Sequence, residues 1–310
     1  MPAKAIPPAR DRLQSRLLVG IALVACCCLA YLGPSYVVEQ GHLSRTYLTK
    51  VIVISAAFAY LAWRTRAATP MAAITGGNIC LVITTFSSIP DSVSPFHSGL
   101  TPLLLLFILT FTATKLGEPR KADAGLTESR KGRNSAQVIA NLGAAALIGS
   151  PLGLLIASLF IQIGFSGRQG HILFVALFSM PMLAALAEAT ADTLSSEIGQ
   201  AFGGTPFMLT TLRRVPPGTD GAISLTGTLA GIAAAALIAA TGAPALSMSF
   251  AGCLVAFAAG VAGLFFDSLL GATLERKGYL GNDLVNFSST AFAAALSLLA
   301  IRFAHPYLLR

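Results

Sequence analysis

Apolar stretches long enough to span a membrane recur along the whole chain, each closed by a polar break. They predict helices over 17–33, 47–63, 71–89, 101–115, 136–163, 171–191, 222–241, 246–267 and 288–303. The fold class this implies is all-α: a polytopic membrane protein of about nine transmembrane helices. Pro151 lies inside the fifth stretch and predicts a kink or break there. No long polar segment is left for a second domain. The chain therefore reads as one transmembrane domain over 1–310, with N-terminal helices over 1–114 and a motif-bearing core over 115–290.

Composition agrees with this reading. Hydrophobic residues make up 55% and charged residues 11%, which excludes an ordinary soluble domain. The first stretch follows a basic N-terminus, but no small-residue cleavage site follows it, so it reads as a retained helix. The five cysteines include no CxxC pair and read as small buried hydrophobes.

Charge sets the orientation. With the N-terminus inside, 16 of the 21 lysines and arginines fall on the cytoplasmic side. This bias accounts for the net charge of +8 without any nucleic-acid partner. It also puts the three long loops, 116–135, 192–221 and 268–287, in the cytoplasm, where a site could use soluble nucleotide. The expected location is the plasma (inner) membrane.

The informative polar residues sit at the predicted helix ends. A-D-T-L-S-S-E-I-G closes one helix at 191–199, and D-S-L-L-G closes another at 267–271. Carboxylates there are costly unless solvated, paired or bound to metal. Asp192, Ser195, Ser196 and Gly199 follow i, i+3, i+4, i+7 spacing and share one helical face. Glu188 lies one turn earlier on that face, while Glu197 points elsewhere. Asp267 and Gly271 repeat the spacing, with Ser268 beside them. Two such acids suit Mg²⁺, and with basic residues they are the equipment of phosphoryl transfer.

The run T-T-L-R-R-V-P-P-G-T-D-G-A-I-S over 210–224 reads as a phosphate cradle. Pro217 stiffens it, and Gly218 and Gly221 allow close approach. Thr219 or Asp220 can cap the next helix, whose first N–H groups attract anions. Arg213 and Arg214 add charge between Thr211 and Ser224. No G-x4-G-K-[ST] loop occurs. Further polar candidates are Lys115, Arg133 and Asn141 in one segment and Asn282 and Asn286 in another. Three helix–loop–helix units, beginning with the helices at 101–115, 171–191 and 246–267, look like weak internal repeats whose loops converge.

The order T-K-L-G, G-R-N-S-A-Q-V-I-A-N, A-D-T-L-S-S-E-I-G, V-P-P-G-T-D-G through G-T, D-S-L-L-G-A-T-L-E and N-D-L-V-N resembles one integral membrane family. That family, long of unknown function, includes the plant phytyl-phosphate kinase of the vitamin E pathway. The resemblance runs from Lys115 to Asn286, and Asp220 stands where relatives often carry Asn. It implies a prenyl-phosphate kinase, a phosphotransferase acting on a phosphate acceptor. The acceptor would be phytyl, geranylgeranyl or farnesyl monophosphate and the donor a nucleoside triphosphate, with CTP favoured. On this reading Asp192, Glu197 and Asp267 bind Mg²⁺. Arg213, Arg214 and the 217–221 turn hold nucleotide phosphates, and Lys115 and Arg133 neutralise the acceptor. The prenyl tail is expected in a lipid-facing groove of the bilayer-embedded protein. The rival class is a transporter or flippase of a lipid phosphate or small anion. Transport would need polar groups near mid-membrane, whereas these motifs cluster at one face, which favours the enzyme.

Overall fold

The computed structural model describes residues 6–39, 43–88, 94–123, 125, 132–160 and 167–308. Its helices are α1 (Pro8–Glu39), α2 (Arg45–Arg64), α3 (Pro70–Phe86), α4 (Leu100–Lys115), α5 (Glu118–Asp123), α6 (Ser135–Ile148), α7 (Pro151–Phe160), α8 (Gly167–Phe202), α9 (Leu225–Ala245), α10 (Phe250–Leu270) and α11 (Asn282–Leu308). A short antiparallel pair, β1 (Phe207–Met208) and β2 (Ala222–Ile223), lies between α8 and α9.

Side-chain caps fix the helix starts. Ser44, Thr69, Ser224 and Ser249 each accept a bond from a backbone N–H in the first turn of the helix they precede. Asn134 and Gln137 form a reciprocal capping box at α6. The fifth predicted stretch is two helices, α6 and α7, because Gly149 and Ser150 end the first and Pro151 opens the second.

Among the described residues each of the nine predicted stretches is largely helical, but the span count is lower than expected. Among the described residues, five helices are long and apolar enough to cross a membrane: Pro8–Gly33, Arg45–Arg64, Leu225–Ala245, Phe250–Glu275 and Asn282–Ile301. α3, α4 and α6 are apolar but have only 17, 16 and 14 residues.

α8 is the centre of the bundle. It packs against α4, α6, α9, α10 and α11, and every residue from Ser179 to Ala191 is buried. Over 179–191 its side chains are apolar apart from Ser179, Glu188 and Thr190, and a segment apolar on nearly every side belongs in such a position. Its closest neighbour, α9, meets it along small residues. A Cβ on Gly231 would lie 2.7 Å from the Ala191 carbonyl oxygen, and one on Gly227 would strike the Ser195 carbonyl. Backbones this close exchange hydrophobic bulk for packing contact.

The loops gather at one end. Arg10 donates to the Gly278 carbonyl at 3.1 Å, and Ser15 donates to Asp283 at 2.6 Å, so the start of α1 reaches the α10–α11 loop. Ala68 and Arg133 form a β-bridge that ties the α2–α3 turn to the start of α6. The motifs sit deeper than helix-end placement predicted. α8 runs on to Phe202, where Gly203 and Gly204 stop it, leaving Asp192 about 15 Å short of the helix end. α10 likewise continues past Asp267 and closes in a π-turn over Gly271–Glu275.

The α8–α9 seam predicts a position-specific defect. Gly231→Leu should lower the thermal unfolding midpoint in detergent by several degrees, as overpacking costs about 1–3 kcal/mol. Ala236→Leu, on the exposed side of α9, should leave it unchanged.

Candidate active site

Two cavities lie toward the loop end, against different faces of α8. The first is polar and holds about 180 Å³. Asp192, Ser195, Ser196 and Gly199 line it from α8, as their helical spacing requires. The 206–224 loop contributes Pro217, Gly218, Thr219, Asp220, Gly221 and Ser224. α10 and its π-turn contribute Asp267, Ser268 and Glu275, and α11 contributes Asn282 and Asn286.

Glycine contacts hold the loop against α10. Gly221 has φ +70°, and a Cβ there would run into the Ala272 backbone. A Cβ on Gly271 would come within 2.7 Å of the Gly221 nitrogen. Gly271 therefore does not line the cavity but sets the approach of the loop that does. Ser224 caps α9 through the Gly227 N–H at 3.1 Å and packs against Gly199 and Gly203.

Four carboxylates face this small space: Asp192, Asp220, Asp267 and Glu275. Asp267 accepts a bond from Ser289 at 3.1 Å. Partial burial pushes the Asp220 carboxyl above the usual carboxylate range, and Arg276 opposes the shift. Behind the cavity lies Glu188, 1% exposed, near enough to Asp192 and Asp267 to interact with both charges. Neither Glu188 oxygen meets hydrogen-bond geometry with a protein group; the nearby Ser289 hydroxyl is engaged by Asp267. A triphosphate would be repelled from this surface unless divalent cations accompanied it. Among the described residues no three acids, histidines or cysteines converge into a ready-made metal cage. Mg²⁺ does not require one: it keeps water and takes one or two carboxylates plus substrate phosphates. Asp192 and Asp267 fit that donor set, and the orphaned Glu188 carboxylate behind them favours a cation there.

The second cavity holds about 410 Å³ and lies among α2, α3, α4, α6 and α8. Lys115, Arg133 and Asn141 line it, together with Arg66, Lys121, Phe58, Phe107, Ala189 and Thr193. Consecutive residues of α8 line the two cavities, Asp192 the first and Thr193 the second, and the charge of Arg133 in the second acts on Asp192.

The sequence profile of the family described as integral membrane protein DUF92 matches residues 53–294. The chain belongs to this family. Every residue lining either cavity falls inside the matched region of this DUF92 protein. It is 33% identical over 201 residues to an uncharacterized membrane protein of Synechocystis sp., covering 64% of this chain and 72% of the relative. It is 34% identical over 216 residues to an uncharacterized membrane protein of Methanocaldococcus jannaschii, covering 69% and 82%. It is 29% identical over 209 residues to the chloroplastic protein VTE6 of Arabidopsis thaliana, covering 66% of this chain and 59% of that protein. No solved structure matches the chain.

The remaining sequence-derived candidates of the DUF92 chain lie elsewhere. Thr211, Arg213 and Arg214 sit exposed on the hairpin beyond the first cavity, with the Arg214 guanidinium 5.9 Å from the Phe207 ring centre. Glu197 lines neither cavity. Its carboxylate takes Lys121 Nζ at 2.5 Å and the Thr114 hydroxyl at 3.1 Å, and Lys121 also donates to the Thr114 carbonyl at 2.7 Å. A metal-ligand role for Glu197 would have to break this buried pair. Residues the sequence did not single out as site members are Glu275, Arg66 and Lys121. Glu275 is eight residues beyond Asp267, a helical spacing that could have flagged it. Nothing in the basic 115–133 run distinguishes Lys121 from its neighbours.

The buried pair predicts non-additive behaviour. Lys121→Met alone should cost about 3–5 kcal/mol, because it strands a buried carboxylate. Lys121→Met with Glu197→Leu should recover most of that loss, read as unfolding midpoints in detergent.

Proposed function

We propose that the protein is a membrane kinase that transfers a phosphoryl group from a nucleoside triphosphate, with CTP favoured, to a prenyl monophosphate. The observation that carries this reading is the adjoining pair of cavities. One is acidic and suited to a cation-bound polyphosphate; the other joins apolar walls to a basic rim and suits an amphiphilic phosphate. They flank α8 at the consecutive residues Asp192 and Thr193, and the Arg133 charge acts on Asp192. The resemblance to the family that includes plant phytyl-phosphate kinase supports the same reaction class. The gathering of the loops at one end, together with the positive-inside charge bias, favours a cytoplasmic site in the plasma membrane.

In this reading Asp192 and Asp267 hold Mg²⁺, which when bound neutralises phosphate charge. The 217–221 turn, with Ser196, Ser224 and Ser268, lines the donor phosphates, and Asn282 and Asn286 complete the wall. Lys115 and Arg133 hold the acceptor phosphate. An oxygen of that phosphate attacks the terminal phosphorus of the donor, forming the new P–O–P bond as the bond to the nucleoside diphosphate breaks. A phosphate monoester has a second pKa of about 6, so the attacking oxygen carries no proton to remove near neutral pH. The cavities accordingly need no histidine base. Glu197 acts from outside as a positioning residue: by fixing Lys121 it holds the α4–α5 turn beside Lys115.

Asp192→Asn and Asp267→Asn should each abolish formation of prenyl diphosphate without loss of folded protein. The assay offers purified protein in detergent several prenyl monophosphates with Mg²⁺ and each of CTP, ATP, GTP and UTP. Full activity in both variants would remove the metal roles, and no turnover with any pair in folded wild type would overturn the kinase reading.

A further inference from the structure

The second cavity is polarised along its length, and three of the helices around it, α2, α4 and α6, contribute in the same sense. α2 places Phe58 deep, and the turn after it places Arg66 at the mouth. α4 places Leu103 and Leu106 deep and Lys115 at the mouth. The start of α6 brings Arg133 to the mouth, and Leu142 lies two turns further in. Leu103 and Lys115, which both line the slot, lie about 18 Å apart along α4, the length of several isoprene units.

The mouth is held rigidly. The Thr69 N–H donates to the Arg133 carbonyl at 2.9 Å, and the Arg133 N–H donates to the Ala67 carbonyl at 3.0 Å. Arg66, one residue away, has φ +57°, a left-handed conformation costly for a non-glycine residue. This strained turn sets Arg66 beside Arg133. The walls differ in character. Phe58 and Phe107 meet edge to face at 5.2 Å, while α3 lines the slot with Ala72, Ala73 and Gly76. Small residues facing aromatic ones leave room for a single chain. At Gly76 an added Cβ would touch only the Phe58 ring, at 3.5 Å, so the absent side chain keeps the deep end open.

We infer that this slot, lined by α2, α3, α4, α6 and α8, binds the single isoprenoid chain of the acceptor, with Arg66 joining Lys115 and Arg133 on its phosphate and Gly76 setting the longest chain admitted. The inference rests on the prenyl-phosphate reading above but concerns binding alone. The occupant is a single-chain lipid monophosphate: Arg66, Lys115 and Arg133 line one cavity, with Glu118 3.9 Å from Lys115, and one slot receives one tail.

The test is equilibrium binding of geranyl, farnesyl and geranylgeranyl phosphonates to the purified full-length protein in detergent, without nucleotide or divalent cation. Gly76→Leu should weaken geranylgeranyl phosphonate about tenfold or more, leaving geranyl phosphonate nearly unchanged. Ala73→Leu should act in the same direction, and Gly76→Ala should behave as wild type. Arg66→Ala should weaken all three ligands by a similar factor, about tenfold. Retained binding of the shortest ligand certifies that the leucine variants are folded. Equal losses at every chain length, no effect of Arg66→Ala, or displacement by phosphatidic acid as effective as by the single-chain ligands would each overturn the inference. Chain-length discrimination in a protein that turns over no prenyl phosphate would keep the slot and remove the kinase. Turnover with no chain-length effect of Gly76→Leu would remove the slot alone.

Discussion

A carboxylate carried on an apolar helix has to be solvated, paired or bound, because an isolated charge in a low-dielectric interior is too costly to keep. α8 carries three such acids within ten residues, and the protein by itself accommodates two of them. Asp192 opens into a polar cavity beside Asp267, Ser195 and Ser196. Glu197 is buried against Lys121 and Thr114. Glu188, buried with no hydrogen-bond partner, shares its surroundings with the charges of Asp192 and Asp267. The rest of the loop end follows from these solutions. The 206–224 loop and the π-turn after α10 form the walls that keep Asp192 in a polar space, and α5 exists where Lys121 must reach back to α8.

The walls are positioned by absent side chains as much as by present ones. Gly221 against the backbone at Ala272, and Gly227 and Gly231 against α8, bring backbones to distances that any Cβ would prevent. Such contacts fix how closely the loop and α9 approach the helices that flank the cavity. The second cavity is built differently. Its walls are ordinary packed helices, and its polarity comes from α2, α4 and α6 meeting the loop end near Arg66, Lys115 and Arg133. A chain whose cytoplasmic loops are basic for reasons of topology can thereby supply a phosphate-binding rim with no additional residue.

The sequence carried much of the first cavity. Helical spacing put Asp192, Ser196 and Gly199 on one face, and the V-P-P-G-T-D-G run marked the loop that closes over them. It was less informative where charge alone was the signal. Arg213 and Arg214 look like phosphate ligands in sequence, but β1 pairs back on the strand that follows them and turns them outward. Arg66, an ordinary positive-inside residue by sequence, lies at a cavity mouth.

By itself the sequence determined an all-helical membrane protein, the segments that form helices, the break at Pro151 and the faces shared by Asp192 with Ser196 and by Asp267 with Gly271. These are local properties, fixed by residue periodicity, by apolar run length and by what proline and glycine allow. Only the tertiary structure decided that α8 runs through its motif to Phe202, that Glu197 pairs with Lys121 across 76 residues, and that Lys115 and Arg133 belong to a different cavity from Asp192. The reason is that burial and pairing depend on which helix faces meet. Among helix segments that are apolar on nearly every side, as α8 is before Asp192, periodicity leaves that choice to small-residue packing between distant segments.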